Sequence, residues 1–437
     1  MKQNKTINII GGGLAGSEAS LYLANAGFKV NLYDIKGENF TPAHHNPNYA
    51  EIVCSNSFKS DAEDSASGIL KRELLALNSS LIETAYKLRV PSGSALAVDR
   101  DKFALDITEK IKNHPNIATY TKDVNSFEKD AITIIATGPL TTDNMCDALK
   151  EKVGKDFLYF YDAASPIIEA SSIDMNIAFI QDRYDKGTGD YLNLPMNKGE
   201  YLTFYNELIT AETVQLKAFE NTKVFEGCMP IEVMAKRGAD AIRFGPLKPV
   251  GLMDKRTNIK PYAVVQLRKE NVSADMYNMV GFQTNLTFPE QKRVFSLIPG
   301  LKDANFLKYG VMHRNNFVNF PKLCDAYSRL KADTNIFIAG QLSGVEGYVE
   351  SIASGLYCAI NVERMLSGKE LISFSNKTII GGLYQYLINA TGDNFQPINA
   401  NLGILEPIDE RDKKKRNLFY GERSKQEIEN ILKELNN

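Results

Sequence analysis

The sequence has no tryptophan, and only four histidines and five cysteines among its 437 residues. Without an indole, any stacking on a nucleobase or a cofactor ring falls to its tyrosines and phenylalanines. The cysteines, at 54, 146, 228, 324 and 358, are odd in number and widely spaced, so neither a disulfide framework nor a CxxC metal site is expected. His44 and His45 are adjacent and poorly placed to share one ion, and no metal is expected. No apolar run approaches the ~20 residues of a membrane span. The polar opening at residues 1–6 passes directly into a strand, with no signal-peptide pattern. A reduced, cytoplasmic protein with no membrane partner is the resulting expectation. A formal net charge of −2 excludes a purely electrostatic RNA binder but leaves a local basic face open.

What is present is concentrated first near the start. The apolar run at 7–10 reads as a buried strand that breaks into Gly11-Gly12-Gly13-Leu14-Ala15-Gly16. A helix-periodic stretch at 17–26 follows, then a second strand at 30–33 that ends in Asp34. Gly11 permits the tight turn, Gly13 lets the backbone approach a pyrophosphate, and Gly16 lets the helix pack close to the strand. The helix N-terminus offers unpaired N–H groups to phosphate, and Asp34 stands where an acid meets a ribose hydroxyl. A bound dinucleotide follows; this segment alone does not separate NAD from FAD.

Two further strand–turn units, "DAITIIATGPL" at 130–140 and "NIFIAGQLSG" at 335–344, make the pattern of FAD enzymes resembling glutathione reductase. There the late helix points its positive end at the flavin. No second GxGxxG offers a separate nicotinamide domain, so FAD is preferred. The expected fold is α/β: a discontinuous, glutathione-reductase-like FAD-binding Rossmann domain with a mixed α/β insertion domain. The first takes residues 1–95, 125–165 and 310–437, the second 96–124 and 166–309. Thr137 and Gly138 in the second turn, and Gly340, Gly344 and Val345 in the third, join the expected cofactor contacts.

Cys228 sits in a Gly-Cys-Met-Pro turn that would expose its sulfur, with Lys236 and Arg237 close in sequence. Between 236 and 256, Lys236, Arg237, Arg243, Lys248, Lys255 and Arg256 stand against Asp240 and Asp254, with Phe244 among them. That suits phosphate contacts around an everted base, although a solvated face has the same composition.

The segments "GGGLAGSEA", "VCSNSFKSD", "VPSGSALAVDR", "IATGPLT", "FEGCMPIEVMAKRG", "RFGPLKPVGL", "YGVMHRN", "AGQLSGVEGYVESIASG" and "NFQPINANLG" follow in one order. Together they resemble the folate- and FAD-dependent tRNA (uracil-5-)-methyltransferase family, including its members acting on 23S rRNA. "LTFPEQ" and "NLPMNKGEY" are departures from its usual wording. The resemblance implies 5,10-methylenetetrahydrofolate as carbon donor, reduced FAD as reductant, and NADH or NADPH to recharge the flavin. Uracil C5 is a poor nucleophile until a group adds at C6, and a thiolate suits that addition because it can leave again.

On this resemblance Cys228 is the first candidate nucleophile, and Cys54 a thiol near the flavin. Tyr348, opening the last flavin-facing helix, would pack on the ring or move a proton; His313 would contact the pterin. Lys236, Arg237, Arg243 and Lys248 would hold RNA. Cys146, Cys324 and Cys358 lie in apolar helical contexts and read as core. Between a tRNA T-loop uracil and a 23S rRNA uracil the sequence barely decides. Two other readings stay open: an NAD(P)H-dependent flavin oxidoreductase without an RNA substrate, and an RNA-binding protein that keeps FAD only as a structural plug.

Overall fold

The computed structural model describes residues 6–41, 43–154, 157–163, 165–185, 189–214, 229–270, 273–310, 312–391 and 395–436. Strand β1 (Thr6–Ile10) is buried on both faces from Ile7 onward, as a central parallel strand must be. The chain turns at Gly11, with φ +105°, enters helix α1 (Leu14–Asn25) and returns as β2 (Lys29–Asp34). A Cβ on Gly16 would stand 1.8 Å from the Gly11 carbonyl oxygen, so α1 sits against this turn only because residue 16 is glycine. Strands β3 (Ser57–Ser60), β4 (Arg89–Val90) and β5 (Ala95–Val98) form a small antiparallel sheet. Helices α2 (Ala66–Ala76) and α3 (Ser80–Lys87) lie between its first two strands, and α4 (Arg100–Lys112) leads on to β6 (Ile117–Thr121) and β7 (Ile132–Ile135).

Residues 96–124, expected with the insertion, instead supply α4 and an edge strand of the parallel sheet that contains β1 and β2. β6 runs parallel to β2, from Val30 opposite Ile117 to Asp34 opposite Thr121. β6 is a half-solvated edge strand whose residues are partly or fully exposed. It therefore lacks the continuous apolar run that marks β1 and β7 in the sequence.

After α5 (Asp143–Val153) and β8 (Phe157–Ala163) the chain enters a second body. It contains β9 (Ile167–Glu169), β10 (Phe179–Ile180), β11 (Tyr191–Met196), α6 (Lys198–Thr210), α7 (Ile231–Ala235) and α8 (Ala239–Arg243). It continues through β12 (Ala263–Lys269), β13 (Met276–Met279), α9 (Phe288–Phe295) and β14 (Phe306–Lys308). These strands form an antiparallel sheet, order β10-β11-β12-β13-β9-β14, over a separate apolar core that includes Tyr201, Phe204, Phe282 and Phe295. Strand β15 (Met312–Val318) brings the chain back, paired antiparallel with β8. Then come α10 (Phe320–Leu323), β16 (Arg329–Leu330), β17 (Asp333–Ile338), α11 (Tyr348–Leu366), α12 (Ile379–Asn389) and α13 (Lys413–Asn436).

The first sheet has the order β16-β17-β7-β1-β2-β6 and is parallel from β17 to β6. From β1 the order runs outward in both directions, so the switch point lies between β1 and β7. A ligand crevice opens at the carboxyl ends of strands at such a point. Helix α11 crosses α1 closely: a Cβ on Gly355 would lie 2.2 Å from the Ala15 carbonyl oxygen.

Two buried glutamates tie distant helix starts into this body. Glu18 on α1 accepts from the N–H groups of Ser80 (3.2 Å) and Leu81 (2.9 Å) at the start of α3. Glu73 on α2 accepts from Ile379 N–H (2.6 Å), Ile380 N–H (3.0 Å) and the Ser424 hydroxyl (2.6 Å), joining α12 and α13 to α2. Burial raises the Glu73 carboxyl from 4.5 to about 7, against the pull of these three donors. The folded chain therefore keeps this proton longer than the unfolded chain. The contribution is complete below about 4.5 and is lost as pH rises through about 7. In Glu73→Gln, which is permanently neutral, the fall in Tm between about pH 5 and pH 8 becomes shallower than in the parent. Differential scanning calorimetry across that range checks it; parallel Tm curves would contradict it.

Candidate active site

One cavity of about 440 Å³ opens at the switch point. Its floor is the end of β1 and the start of α1: Ile10, Gly11, Gly13, Leu14 and Ala15. Ala136, Thr137 and Gly138 after β7 form one wall, and Gly340, Gln341, Gly347, Tyr348 and Val349 around the start of α11 form another. Helix α1 begins at Gly13 with no side-chain cap, and α11 begins at Gly347 with none. Both helices thus present free N–H groups, and the positive ends of their dipoles, toward the same space.

The residues present fit a dinucleotide. A Cβ built on Gly13 meets no protein atom within 4 Å, so the backbone there is open to a ligand from the cavity side. Asp34 lines the cavity at the end of β2. Its Oδ2 accepts from Gly12 N–H (2.5 Å) and its Oδ1 from Lys36 N–H (2.8 Å), which fixes the carboxylate beside the turn. The loop that follows is pinned by Lys36, whose Nζ donates to Glu51 (2.9 Å) and to the Asn48 carbonyl (2.8 Å). Burial works against the Glu51 carboxylate, but Lys36 and the His45 N–H outweigh it and hold Glu51 below the usual carboxylate range.

The expected cofactor residues divide in two. Gly11, Gly13, Leu14, Ala15, Asp34, Thr137, Gly138 and Gly340 line the cavity. Gly12 and Gly16 shape it from behind, through the Asp34 bond and the contact with Gly11. Gly344 and Val345 are not on the lining. The Gly344 carbonyl accepts from Ile398 N–H (2.9 Å), a Cβ there would strike Phe395, and Val345 is buried. They belong to the packing beneath the wall. The turn residue and its neighbour look alike in sequence, and only the direction of the chain after Ser343 separates them.

At the far end of the cavity stand Cys54, Ser55, Tyr348, Arg268, Gln283 and Lys308. The Cys54 sulfur lies 2.8 Å from the Tyr348 hydroxyl, which also accepts from the N–H groups of Cys54 (2.9 Å) and Ser55 (3.2 Å). Burial first, then the Cys54 sulfur, hold the Tyr348 phenol well above its ordinary value, with Arg100 opposing. Burial, then Arg100, lower the Lys308 amine, with Glu51, Glu270 and Cys54 opposing. Arg268, Gln283 and Lys308 come from the second body; Gln283 lies in the family-like segment "VGFQTNL", whereas Arg268 and Lys308 carried no motif that would have singled them out.

Cys228 lies outside the described residues. Its sequence neighbours are anchored: Met229 is buried, and Ile231 N–H donates to the carbonyl of the cavity-lining Gln283 (2.8 Å). Glu232 on α7 accepts from Thr284 Oγ1 (2.9 Å) and Asn285 N–H (2.7 Å). His313 lies on β15, opposite Asp162 of β8.

Lys236, Arg237 and Lys248 are exposed and do not line the cavity. Arg243 is occupied otherwise: its guanidinium lies over the rings of Tyr262 (3.9 Å) and Phe244 (4.6 Å), and Nε donates to the Tyr262 carbonyl (3.2 Å). Arg256 is bound by Asp254 and donates to the Ala178 carbonyl. Among the described residues no group of His, Cys, Asp and Glu could hold a metal ion, and no helix is long and apolar enough to cross a membrane.

A family model described as "Glucose inhibited division protein A" matches residues 6–370. A methylenetetrahydrofolate--tRNA-(uracil-5-)-methyltransferase (TrmFO) of Ligilactobacillus salivarius is 51% identical over 421 residues, covering 96% of each chain. The enzyme of the same name from Acetivibrio thermocellus is 53% identical over 413 residues, 94% of this chain and 95% of that one. The chain belongs to the TrmFO family. Its fold is that of Aquifex aeolicus GidA, which matches with a TM-score of 0.73 at 15% identity over 99% of this chain and 74% of the other.

The open face at Gly13 is the feature of this TrmFO-family chain that an FAD diphosphate requires. Gly13→Asp places a carboxylate on the uncapped helix start, where no protein atom obstructs it. FAD retention, read from flavin absorbance after gel filtration and by equilibrium dialysis, falls by about tenfold or more while the fold stays intact by circular dichroism. Undiminished FAD content would show that the cofactor lies elsewhere.

Proposed function

We propose that this chain is a methylenetetrahydrofolate- and FAD-dependent tRNA uracil-C5 methyltransferase, forming 5-methyluridine. The observation that carries this is one cavity that joins a dinucleotide turn to a thiol–phenol pair, in a chain about half identical, over nearly its whole length, to relatives of that name. The relatives' names favour a tRNA uracil over one in 23S rRNA. FAD supplies redox chemistry when bound, and methylenetetrahydrofolate the one-carbon unit. NADH or NADPH is the source of electrons, and the cytoplasm the place of work.

The chain's own residues then take distinct tasks. The start of α1 and Gly13 hold the diphosphate, and Asp34 faces the adjoining ribose. Cys228 adds to uracil C6, so that C5 gains carbanion character and bonds to the one-carbon unit; once C5 has lost its proton the thiolate leaves from C6, and the hydride that reduced FAD would supply completes the methyl group. Three residues further on, Ile231 is bonded to the cavity-lining Gln283, which supports this assignment. Cys54 and Tyr348 share a hydrogen bond where the cavity meets the second body, suited to holding or passing a proton near the flavin. His313 contacts the pterin. Lys236, Arg237 and Lys248 contribute charge to an RNA-facing surface, while Arg243 supports that surface through Tyr262 and Phe244.

The test uses the FAD-bound protein, NADPH, methylenetetrahydrofolate labelled in its one-carbon unit, and unmodified tRNA and 23S rRNA. Label appears in tRNA 5-methyluridine. Cys228→Ala retains its FAD absorbance but loses at least about a thousandfold of this transfer. NADPH oxidation with no label in either RNA would favour the plain flavin oxidoreductase, and label confined to 23S rRNA would move the substrate there.

A further inference from the structure

Arg100, the first residue of α4, contacts the backbone of the Cys54 loop and the end of β12 at once. Its Nη1 donates to the carbonyls of Ile52 (3.1 Å) and Val53 (2.9 Å), the two residues before the thiol. Its Nε and Nη2 make a two-point pair with Glu270 (2.7 and 3.1 Å). The Arg100 side chain is 17% exposed and that of Glu270 is 2% exposed. The two residues after the thiol are bound to the same strand end. Arg268 donates to Ser55 Oγ (3.0 Å) and Asn56 Oδ1 (2.9 Å), and Asn56 Nδ2 donates to the carbonyls of Lys269 (2.8 Å) and Glu270 (3.2 Å). Cys54 is thus the centre of a five-residue segment held on both sides, is itself bonded to the Tyr348 hydroxyl, and lines the cavity.

The electrostatics run the same way. The Tyr348 oxygen already accepts two N–H bonds, so its own proton is directed at the Cys54 sulfur. Among the described residues, Tyr348 on α11, Arg100 on α4 and Lys308 on β14 interact electrostatically with this sulfur; Glu270 after β12 acts on Arg100 and Lys308, Glu51 on the same loop acts on Lys308, and Arg268 of β12 lines the same cavity. Burial alone would pull the Arg100 guanidinium down, but Glu270, Tyr348 and Cys54 together more than offset it. A buried ion pair is weak evidence for stability, because desolvation cancels much of the attraction; fixed geometry is the better-supported use.

We propose that Arg100 is a positioning residue for Cys54: it holds the loop by two carbonyls and supplies positive charge that favours the thiolate, while Glu270 limits how much of that charge the sulfur feels. This rests on the reading of Cys54 as a reactive cavity thiol, but not on the RNA reaction.

The experiment is alkylation of Cys54 by iodoacetamide in the purified FAD-bound protein, without folate or RNA. It is followed by peptide mass spectrometry from about pH 5.5 to 9.5, with the buried Cys146, Cys324 and Cys358 as internal controls. In Arg100→Gln the midpoint of the rate profile rises by about one pH unit, and the rate at neutral pH falls about tenfold. In Glu270→Gln the midpoint moves the opposite way, and Arg100→Lys, which keeps the charge but not the fork, lies between parent and Arg100→Gln. Opposite shifts carry the proposal. Shifts in one direction, unchanged midpoints, or no Cys54 labelling in the parent at any pH would overturn it. Should Arg100→Gln be insoluble, Glu270→Gln decides alone: a lowered midpoint supports the proposal, and an unchanged or raised one refutes it. Failure of methyl transfer would leave these profiles untouched, so the two readings fail separately.

Discussion

Helix α1 approaches the end of β1 so closely that the Gly11 carbonyl occupies the place where a side chain at residue 16 would begin. That approach puts an uncapped helix start, with its unpaired N–H groups, over the carboxyl end of the central strand. The same body is closed from the other side by α11, whose Gly355 meets the Ala15 backbone at a similar separation. Two helix starts therefore converge on one space, and neither could be moved outward without opening the core between them. The cavity is a consequence of that double close packing, and an anionic cofactor is what its exposed amide groups favour.

The second body completes the cavity at the end where the chemistry would occur. At the end of its strand β12, Arg268 and the carbonyls of Lys269 and Glu270 bind the side chains of Ser55 and Asn56 that follow Cys54, and the Glu270 carboxylate pairs with Arg100. These contacts are charged, buried and directional, and an error of an ångström in either sheet would leave them unsatisfied. The thiol's surroundings consequently depend on the seating of two separate cores, not on the loop that bears it. Tyr348 adds a third element, since its hydroxyl accepts from the same loop.

The basic stretch from 236 to 256 illustrates how one composition serves several ends. Arg256 neutralises Asp254 and braces carbonyls of the 175–178 segment; Arg243 is laid on two aromatic rings. Lys236, Arg237 and Lys248 are exposed. Arginine's planar fork makes it the residue of choice for such internal bracing, whereas lysine on a flexible stem remains at the surface. A count of positive charges therefore overstates what faces a partner.

By itself the sequence determined the glycine turn, the strands at 7–10 and 132–135, the late strand–helix unit and the family, because each is written in contiguous residues that obey a local steric or periodic rule. It also placed Cys54 and Tyr348 among the candidates through the segments that carry them. Tertiary structure alone decided that 96–124 joins the first sheet, since a solvated edge strand leaves no apolar run. It alone placed Gly344 and Val345 behind the wall, and it alone brought Arg100, Arg268, Glu270 and Lys308 around Cys54. Such groupings arise from the packing of one sheet against another. Electrostatic and hydrogen-bond partners selected through space leave no spacing in the chain from which they can be read.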